Sequence, residues 1–230
     1  MAMLSKRDGD FLREHLGHSL ELPVTLKLFT QKVDCQYCKE TEALMTEVAE
    51  LSDKITLEVH DLVSDKEVAD TYGISRAPAT VILGTRDYGI RFYGIPSGYE
   101  FNSLIEAIST VSGEQHGLAA EIVEKLSAFQ EPVHVQVFVT PTCPYCPAAV
   151  QIAHAMAMAS DLIISPWART AAVTKAISMS EKYSGEPNFR AIPASAGPNA
   201  AMIIVQTVPA KNEPIAAIAS AGPARPWRAI

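Results

Sequence analysis

Short alternating apolar runs and helical patterns follow one another along the first 160 residues. An amphipathic helix is predicted within residues 1–20. The pattern then predicts a strand over 24–30, a helix over 36–51, a strand over 55–60, a short helix over 64–72, two strands split by residues 87–89, and a helix over 98–111. Strands and helices in this order make a mixed α/β sheet covered by helices on both faces.

The second half of the chain begins like the first. Leu22–Phe29 aligns with Glu131–Phe138 through a proline, an alternating apolar run and a phenylalanine. A helix over 118–129, a strand over 133–140 and a helix from 144 to about 160 are predicted around it. Such a repeat at half the chain length indicates two copies of one fold, which we place at residues 1–115 and 116–230.

Composition restricts the functional classes. The 230 residues are 48% hydrophobic, enough for two domains with buried cores, and the net charge of −7 argues against a nucleic-acid partner. The first 20 residues lack the continuous apolar centre of a signal peptide, and no run reaches the roughly 20 apolar residues of a membrane span. We therefore expect a cytoplasmic protein with no membrane partner.

All four cysteines fall in two Cys-x-x-Cys motifs, one formed by Cys35 and Cys38 and the other by Cys143 and Cys146. Each motif follows a predicted strand and opens a predicted helix. A helix N-terminus stabilises a thiolate, which is the nucleophile of disulfide exchange, and the second cysteine can then attack the mixed disulfide. This chemistry requires no cofactor.

Zinc binding is the main alternative for the four thiols. Four thiolates make a tetrahedral structural site, but the two pairs of such a site are usually separated by about 15 to 20 residues. Here more than one hundred residues separate the motifs, and each has its own strand and helix. The pattern thus favours dithiol chemistry over a zinc-binding or scaffolding module. Measuring the metal content of the purified protein together with its free thiols distinguishes the two.

These residues resemble the thioredoxin superfamily: an apolar strand, Cys-x-x-Cys, a helix, and the later segment Ala77–Leu83. The motif Cys143–Cys146 reads Cys-Pro-Tyr-Cys, which is the glutaredoxin type. Two such units in about 230 residues resemble the tandem protein disulfide oxidoreductases of thermophilic archaea and bacteria. The resemblance covers residues 1–165.

The resemblance implies a thiol–disulfide oxidoreductase that reduces, oxidises or isomerises protein disulfides, itself reduced by a thioredoxin-reductase-like flavoenzyme. Cys35 and Cys143 would be the exposed attacking thiols, and Cys38 and Cys146 would resolve the mixed disulfide. Pro78 matches the family's cis-proline, which lies beside the disulfide and leaves nearby backbone groups free to pair with a substrate strand. An alternative activity is that of an electron carrier reducing a peroxidase.

Three charged residues near the first motif allow two interpretations each. Lys27 and Glu58, on neighbouring predicted strands, could form a buried pair that assists proton transfer, or lie at a solvated strand end. Arg76, just before Pro78, could favour an anionic partner or be a solvated loop charge.

The last third of the chain departs from the repeat. Residues 166–230 contain 16 Ala and 8 Pro, and they carry a net charge of +4 against −11 for the preceding residues. Only 202–205 predicts a strand, and Ile192-Pro193-Ala194 echoes Ala77-Pro78-Ala79 weakly. Either the second unit has diverged, or this segment is an out-of-register translation. Comparing the intact mass with that of the coding sequence distinguishes the two.

We predict different reduction potentials for the two cysteine pairs, because Pro144 stiffens the second turn and removes a backbone donor that Gln36 retains. A redox titration of the Cys35→Ser and Cys143→Ser variants measures the reduction potential of the cysteine pair that remains intact in each variant. Equal potentials would contradict this expectation.

Overall fold

The computed structural model describes residues 3–130, 132–140, 143–168, 189–193 and 202–207. The chain divides into two compact units. One comprises the residues up to Pro96 together with Leu104–Gln115, and the other comprises residues 97–103 together with the chain from His116 onward. No helix within the described ranges is long and apolar enough to cross a membrane.

The first 115 residues hold four helices and four strands within the described part. In chain order they are α1 (Lys6–Ser19), β1 (Val24–Thr30), α2 (Cys38–Ala49), β2 (Ile55–Asp61), α3 (Lys66–Thr71), β3 (Ala79–Leu83), β4 (Asp87–Tyr93) and α4 (Tyr99–Gly113). The strands are ordered β2-β1-β3-β4. β1 pairs parallel with β2 and antiparallel with β3, and β4 is antiparallel to β3. This is the predicted mixed sheet.

The first unit buries both faces of β1. Leu26 and Leu28 alternate with Lys27 and Phe29, and Leu26, Leu28 and Phe29 are fully buried. Phe29 packs on the α3 side of the sheet in an apolar cluster that includes Ala69 of α3. Because β2 and β3 lie on either side of β1, its backbone groups are also paired on both edges.

The predicted opening helix is present as α1. Ser5 caps it by accepting a hydrogen bond from the Asp8 N–H at 3.2 Å, and Leu12 and Leu16 form its buried face. The Glu47 carboxylate of α2 accepts hydrogen bonds from the backbone N–H groups of residues 3 and 4, which ties the start of the chain to α2.

The prediction for the hairpin was wrong about the turn. Residues 87–89 were expected to separate the two strands, but Asp87 begins β4, and the turn lies between Leu83 and Asp87. The Asp87 carboxylate accepts the Gly89 N–H at 2.8 Å, and Gly89 has a φ of 79°. A turn-like sequence is thus accommodated inside a strand, beside an irregularity in the β3–β4 register.

The second unit repeats the arrangement of strand directions. Its elements are α5 (Ala120–Ser127), β5 (Val133–Phe138), α6 (Cys146–Ala159), β6 (Ile163–Ala168), β7 (Phe189–Pro193) and β8 (Met202–Thr207). The central strand β5 pairs parallel with β6 and antiparallel with β8, which pairs antiparallel with β7. The antiparallel neighbour of β5 is therefore β8, the later of the last two strands of its unit. The antiparallel neighbour of β1 is β3, the earlier of the last two strands of the first unit.

The expectation of a single strand after residue 165 was wrong, because β6 and β7 are also present. β6 was not predicted because Pro166 interrupts the run of apolar residues that indicates a strand. In the structure the paired residues lie on either side of it: Ile163 and Ile164 pair with the start of β5, and Trp167 and Ala168 with its end. The rest of the segment after 168 lies outside the described residues, and its two interpretations stay open.

Arg91 provides a test of the first unit's stability. Its nearly buried guanidinium donates to both Asp87 oxygens, at 2.8 and 2.5 Å. Burial raises the pKa of Asp87, but the hydrogen bonds and charge of Arg91 outweigh burial and hold it below its ordinary value. Asp87→Asn leaves the guanidinium without its counter-ion. We expect the free energy of unfolding to fall by about 2 kcal/mol. Breaking a fully buried ion pair costs about 3–5 kcal/mol, and the cost is smaller here because the Asp87 side chain is 35% exposed.

The matched control is Asp70→Asn, which breaks the exposed Lys66–Asp70 pair and should cost under about 0.5 kcal/mol. Hydrogen exchange of β3 and β4 under urea measures both. A carboxyl with a lowered pKa stabilises the fold above its unfolded pKa of about 4 and loses this effect as the pH falls through the folded value. Wild type should therefore lose stability below pH 4 more steeply than Asp87→Asn. Equal costs for the two variants would contradict this prediction.

Candidate active site

Each Cys-x-x-Cys motif is closed as a disulfide at the start of a helix. Cys35 is bonded to Cys38, and Cys143 to Cys146, with Cα atoms 5.5 Å apart in both pairs. Cys38 and Cys146 are the first residues of α2 and α6, and neither helix has a side-chain cap at its N-terminus. The positive end of each helix dipole therefore lies at the second cysteine without a capping side chain, although Pro147, the second residue of α6, has no N–H to offer.

The predicted starts of these helices were two residues early. The helices were expected from residues 36 and 144, but both begin at the second cysteine. Cys35 and Cys143 thus lie in the preceding turn. The effect of the helix dipole falls off within the first turn, so the second cysteine of each pair is the better placed to feel it.

A backbone hydrogen bond reaches the second sulfur of the first pair. The Gln31 N–H, directly after β1, donates to Cys38 Sγ at 3.2 Å. Cys38 is buried, with 4% of its surface exposed. A donor aimed at a buried sulfur stabilises its thiolate form when the disulfide is opened.

The two pairs differ in exposure. Cys35 is partly exposed, as expected for an attacking thiol. Cys143 was expected to be exposed as well, and this was wrong: it is 0% exposed and Cys146 is 1% exposed. The Cys143 N–H bonds back to the Thr140 carbonyl at 3.1 Å.

Sheet register places Pro78 at the end of β1. Phe29 pairs with Ala79, so Pro78 directly precedes the strand beside β1, and the Ala77–Pro78 peptide bond is cis. The Pro78 carbonyl accepts the Gly94 N–H at 2.9 Å. The role of Pro78 in substrate binding stays a prediction.

In the sequence, the residue directly before β8 is an alanine rather than a proline. Phe138 pairs with Met202 of β8, and the sequence has alanine at position 201. Pro193, which echoed Pro78 in the sequence, ends β7 opposite Met202, and β7 is not the strand beside β5. The two motifs therefore differ in the strand that accompanies them as well as in exposure.

The predicted pairing of Lys27 with Glu58 is present. Their side chains form a short ion pair across neighbouring strands, with Lys27 14% and Glu58 42% exposed. The hydrogen bond from Lys27 lowers the pKa of Glu58, and burial opposes this effect. His60, whose Nε2 lies 3.4 Å from Glu58 Oε2, lowers the pKa further. Only the lysine end is largely buried, and a role in proton transfer stays a prediction.

Sequence reasoning missed the aromatic ring that accompanies this pair. The ring of Tyr72 lies 5.6 Å from the Lys27 ammonium and 5.7 Å from the Arg91 guanidinium. The Arg91 Nε–H also donates to the Tyr72 carbonyl at 3.2 Å. The strand register indicates that the two cations are neighbours. Lys27 pairs with Val81 and Val81 pairs with Arg91, so both cations lie in one row across the sheet.

Arg76 is exposed on the loop that leads to Pro78. Burial raises the pKa of Tyr93, and the charges of Arg91 and Arg76 oppose this. Tyr93 pairs with Ala79, so Arg76 lies at the same end of the sheet as Pro78. An anionic partner for Arg76 stays a prediction.

Metal ligands do not gather in the part of the chain that the structure describes. Within these ranges no group of three or more His, Cys, Asp or Glu side chains could hold an ion. The cysteines instead bond within their own motifs. The arrangement is suited to two-electron exchange between a dithiol and a disulfide.

Residues 24–106 match the family model of the thioredoxin domain. This range runs from β1 into α4 and includes Cys35, Cys38 and Pro78. The first unit therefore has the fold of the thioredoxin domain and carries a Cys-x-x-Cys motif.

Two groups of known proteins are similar to the chain. The F subunit of alkyl hydroperoxide reductase in Staphylococcus epidermidis is 34% identical over 119 residues, which are 52% of this chain and 21% of that protein. Its counterpart in Staphylococcus aureus is 32% identical over 120 residues, covering 52% and 22%. The chain thus spans about a fifth of the length of these curated relatives.

Solved structures extend the similarity across both units. A protein disulfide oxidoreductase from Aeropyrum pernix K1 superimposes with a TM-score of 0.69 at 29% identity, over 80% of this chain and 82% of that one. The NTD_N/C domain of alkylhydroperoxide reductase AhpF from Enterococcus faecalis gives 0.68 at 27% identity, over 78% and 86%.

His154 of α6 allows a pH test of the second unit. Burial lowers its pKa to about 3, so it stays neutral in the fold, whereas the unfolded chain takes up a proton below about pH 6.5. We expect the second unit to lose stability as the pH falls from 6.5 toward 3. His154→Leu should flatten this dependence.

Urea unfolding at pH 7 and pH 5, followed by tryptophan fluorescence, measures the effect, because both tryptophans follow His116 in the sequence. The control is the exposed His18 of α1, where His18→Leu should leave the pH dependence of the second unit as in wild type. The same slope in His154→Leu as in wild type would contradict the prediction.

Proposed function

We propose that this chain is a thiol–disulfide oxidoreductase that acts on protein disulfides. The observation that carries the proposal is a partly exposed Cys35 bonded to a buried Cys38 where α2 begins. A reachable sulfur paired with a sheltered one is what exchange with a bulky partner requires. The similarity to the Aeropyrum pernix protein supports it.

Exchange at the first pair proceeds in two steps. The Cys35 thiolate attacks one sulfur of a substrate disulfide, breaks that bond, and forms a mixed disulfide while the other substrate sulfur leaves as a thiolate and is protonated. The Cys38 thiolate then attacks Cys35 Sγ, which releases the second substrate thiolate and forms the Cys35–Cys38 disulfide. Two electrons pass to the substrate, and the reverse sequence oxidises it.

The surroundings favour this chemistry by modest amounts. A thiol with a pKa of about 8.5 is roughly 3% ionised at pH 7, and half ionisation needs about 2 kcal/mol of stabilisation. A helix N-terminus supplies about 0.3–1 kcal/mol. The Gln31 N–H on Cys38 Sγ adds a direct donor. It acts when an external thiolate attacks Cys35 and Cys38 departs as the leaving thiolate.

The proposed cycle needs two partners, a polypeptide substrate and a reductant. The substrate would be an extended polypeptide that meets Cys35 and the backbone beside Pro78, at the end of β1. A thioredoxin-reductase-like flavoenzyme would return the pair to the dithiol. We place this cycle in the cytoplasm, where the surrounding pool keeps thiols reduced.

A second candidate is an electron carrier that reduces a peroxidase. Similarity to the F subunit of alkyl hydroperoxide reductase favours it, at 34% identity over half of this chain. The chemistry at Cys35 is unchanged, but the acceptor is the disulfide of one dedicated partner. A carrier turns over fast with that partner and poorly with scrambled proteins, which separates it from a general oxidoreductase.

An insulin-reduction assay with dithiothreitol as electron source tests the proposal. We expect replacement of both Cys35 and Cys143 by serine to lower the rate at least 100-fold, because no leading thiolate remains. Cys38→Ser alone should accumulate a mixed disulfide between insulin and Cys35, visible by mass spectrometry. A metal-binding or scaffolding module would instead show no insulin reduction, and alkylation of Cys35 and Cys143 would leave its function intact.

A further inference from the structure

Resting on the proposed function, we infer that Asp61 is a positioning residue for the first disulfide: it folds the turn after β2, and that turn aims the Gln31 N–H at Cys38 Sγ. The aspartate acts through the backbone rather than on the sulfur itself. It thereby governs how readily Cys38 leaves when the disulfide is opened.

One peptide unit links the turn to the sulfur. The Thr30 carbonyl and the Gln31 N–H belong to the same planar trans peptide, so they point in opposite directions. On one side the carbonyl accepts the Leu62 N–H at 2.8 Å, and on the other the Gln31 N–H donates to Cys38 Sγ at 3.2 Å. The hydrogen bond from Leu62 therefore fixes the orientation of the N–H that reaches the sulfur.

Asp61 holds Leu62 in place. Asp61 Oδ1 accepts hydrogen bonds from the Val63 N–H at 3.0 Å, the Ser64 N–H at 2.9 Å and the Ser64 hydroxyl at 3.2 Å. One carboxylate oxygen thus closes the chain around Leu62 into a turn. The Asp61 N–H itself donates to the Asp65 carboxylate at 2.8 Å. Leu62 lies within this set of bonds and cannot rotate its N–H without breaking the turn.

Charge and packing both stabilise the turn. The hydrogen bond from the Ser64 N–H lowers the pKa of Asp61, burial opposes this effect, and the Val63 N–H and the charge of Lys32 lower the pKa further. The carboxylate is therefore ionised at neutral pH, and an ionised acceptor forms stronger hydrogen bonds than a neutral one. The Leu62 side chain packs on the apolar cluster on the α3 side of the sheet.

The aimed donor acts at the moment the disulfide opens. An external thiolate attacks Cys35 Sγ and forms a mixed disulfide, the Cys35–Cys38 bond breaks, and Cys38 Sγ leaves as a thiolate that takes a proton from water. A second thiol of the reductant then displaces Cys35, so two electrons pass to the protein and the reductant becomes a disulfide. A stabilised thiolate leaves faster. Because Cys38 is buried, water does not replace the Gln31 N–H if it turns away.

Two substitutions of Asp61 test this role. Asp61→Ala removes the acceptor, whereas Asp61→Asn keeps an amide oxygen in the place of Oδ1. The oxidised full chain is opened with dithiothreitol at pH 7 and quenched with iodoacetamide at intervals, and Cys35 and Cys38 are quantified by peptide mass spectrometry. We expect Asp61→Ala to open about fivefold more slowly than wild type, because the leaving sulfur loses its donor. Asp61→Asn should stay within about twofold of wild type, since the amide oxygen still closes the turn.

The matched control is Asp70→Ala, which removes a carboxylate from the exposed Lys66–Asp70 pair of α3 and should leave the opening rate unchanged. A purely structural role predicts the opposite sign, because a loosened turn exposes Cys38 and speeds opening. A rate for Asp61→Ala equal to or above that of wild type overturns the proposal, and so do equal rates for Asp61→Ala and Asp61→Asn. Should Asp61→Ala not fold, Asp61→Glu replaces it, because its oxygens are displaced by one methylene.

Hydrogen exchange of the Gln31 N–H, measured by NMR on the oxidised chain, follows the donor directly. We expect it to exchange at least about tenfold faster in Asp61→Ala than in wild type, while the amides of Leu26 and Leu28 in β1 keep their protection and show that the sheet is folded. Unaltered protection of the Gln31 N–H would contradict the proposal. Neither measurement needs a polypeptide substrate. If wild type fails to reduce insulin, the proposed function is wrong, while opening rates and Gln31 exchange still decide the role of Asp61.

Discussion

A central strand that is hydrogen-bonded on both sides fixes where each pair of cysteines lies. β1 is held by β2 and β3, and β5 by β6 and β8, so neither central strand can shift without breaking two ladders. β1 ends at Thr30 and β5 at Phe138, and after each strand the chain must enter a helix within a few residues. The sulfur chemistry depends on this fixed exit, because it aims the Gln31 N–H at Cys38.

Alternation along a buried strand was the part of the fold that the sequence predicted best. The expected range 24–30 matches β1 residue for residue, because the apolar positions face buried surface on a regular ladder. Helix starts were less accurate. α2 and α6 begin after Tyr37 and Tyr145, and tyrosine carries none of the usual signals of an N-cap. The presence of each element was predicted, but its boundary depends on local backbone geometry.

The same distinction applies to the candidate site, where some features were predicted from the sequence and others were not. The bonding of Cys35 with Cys38 and the pairing of Lys27 with Glu58 follow from spacing and register, which a sequence records. The burial of Cys143 could not be predicted, because exposure depends on tertiary packing, which neither spacing nor register records. Proline was misleading twice in the last third of the chain: Pro166 concealed β6, and Pro193 resembled Pro78 without sharing its register.

The row of charges on the first sheet has a further consequence. Lys27 and Arg91 both lie within 6 Å of the Tyr72 ring, and the attraction of each cation to the ring offsets part of their mutual repulsion. Each cation also has its own acid, Glu58 or Asp87. The first sheet can therefore carry two positive charges beside an apolar cluster, because each charge is balanced within the sheet itself.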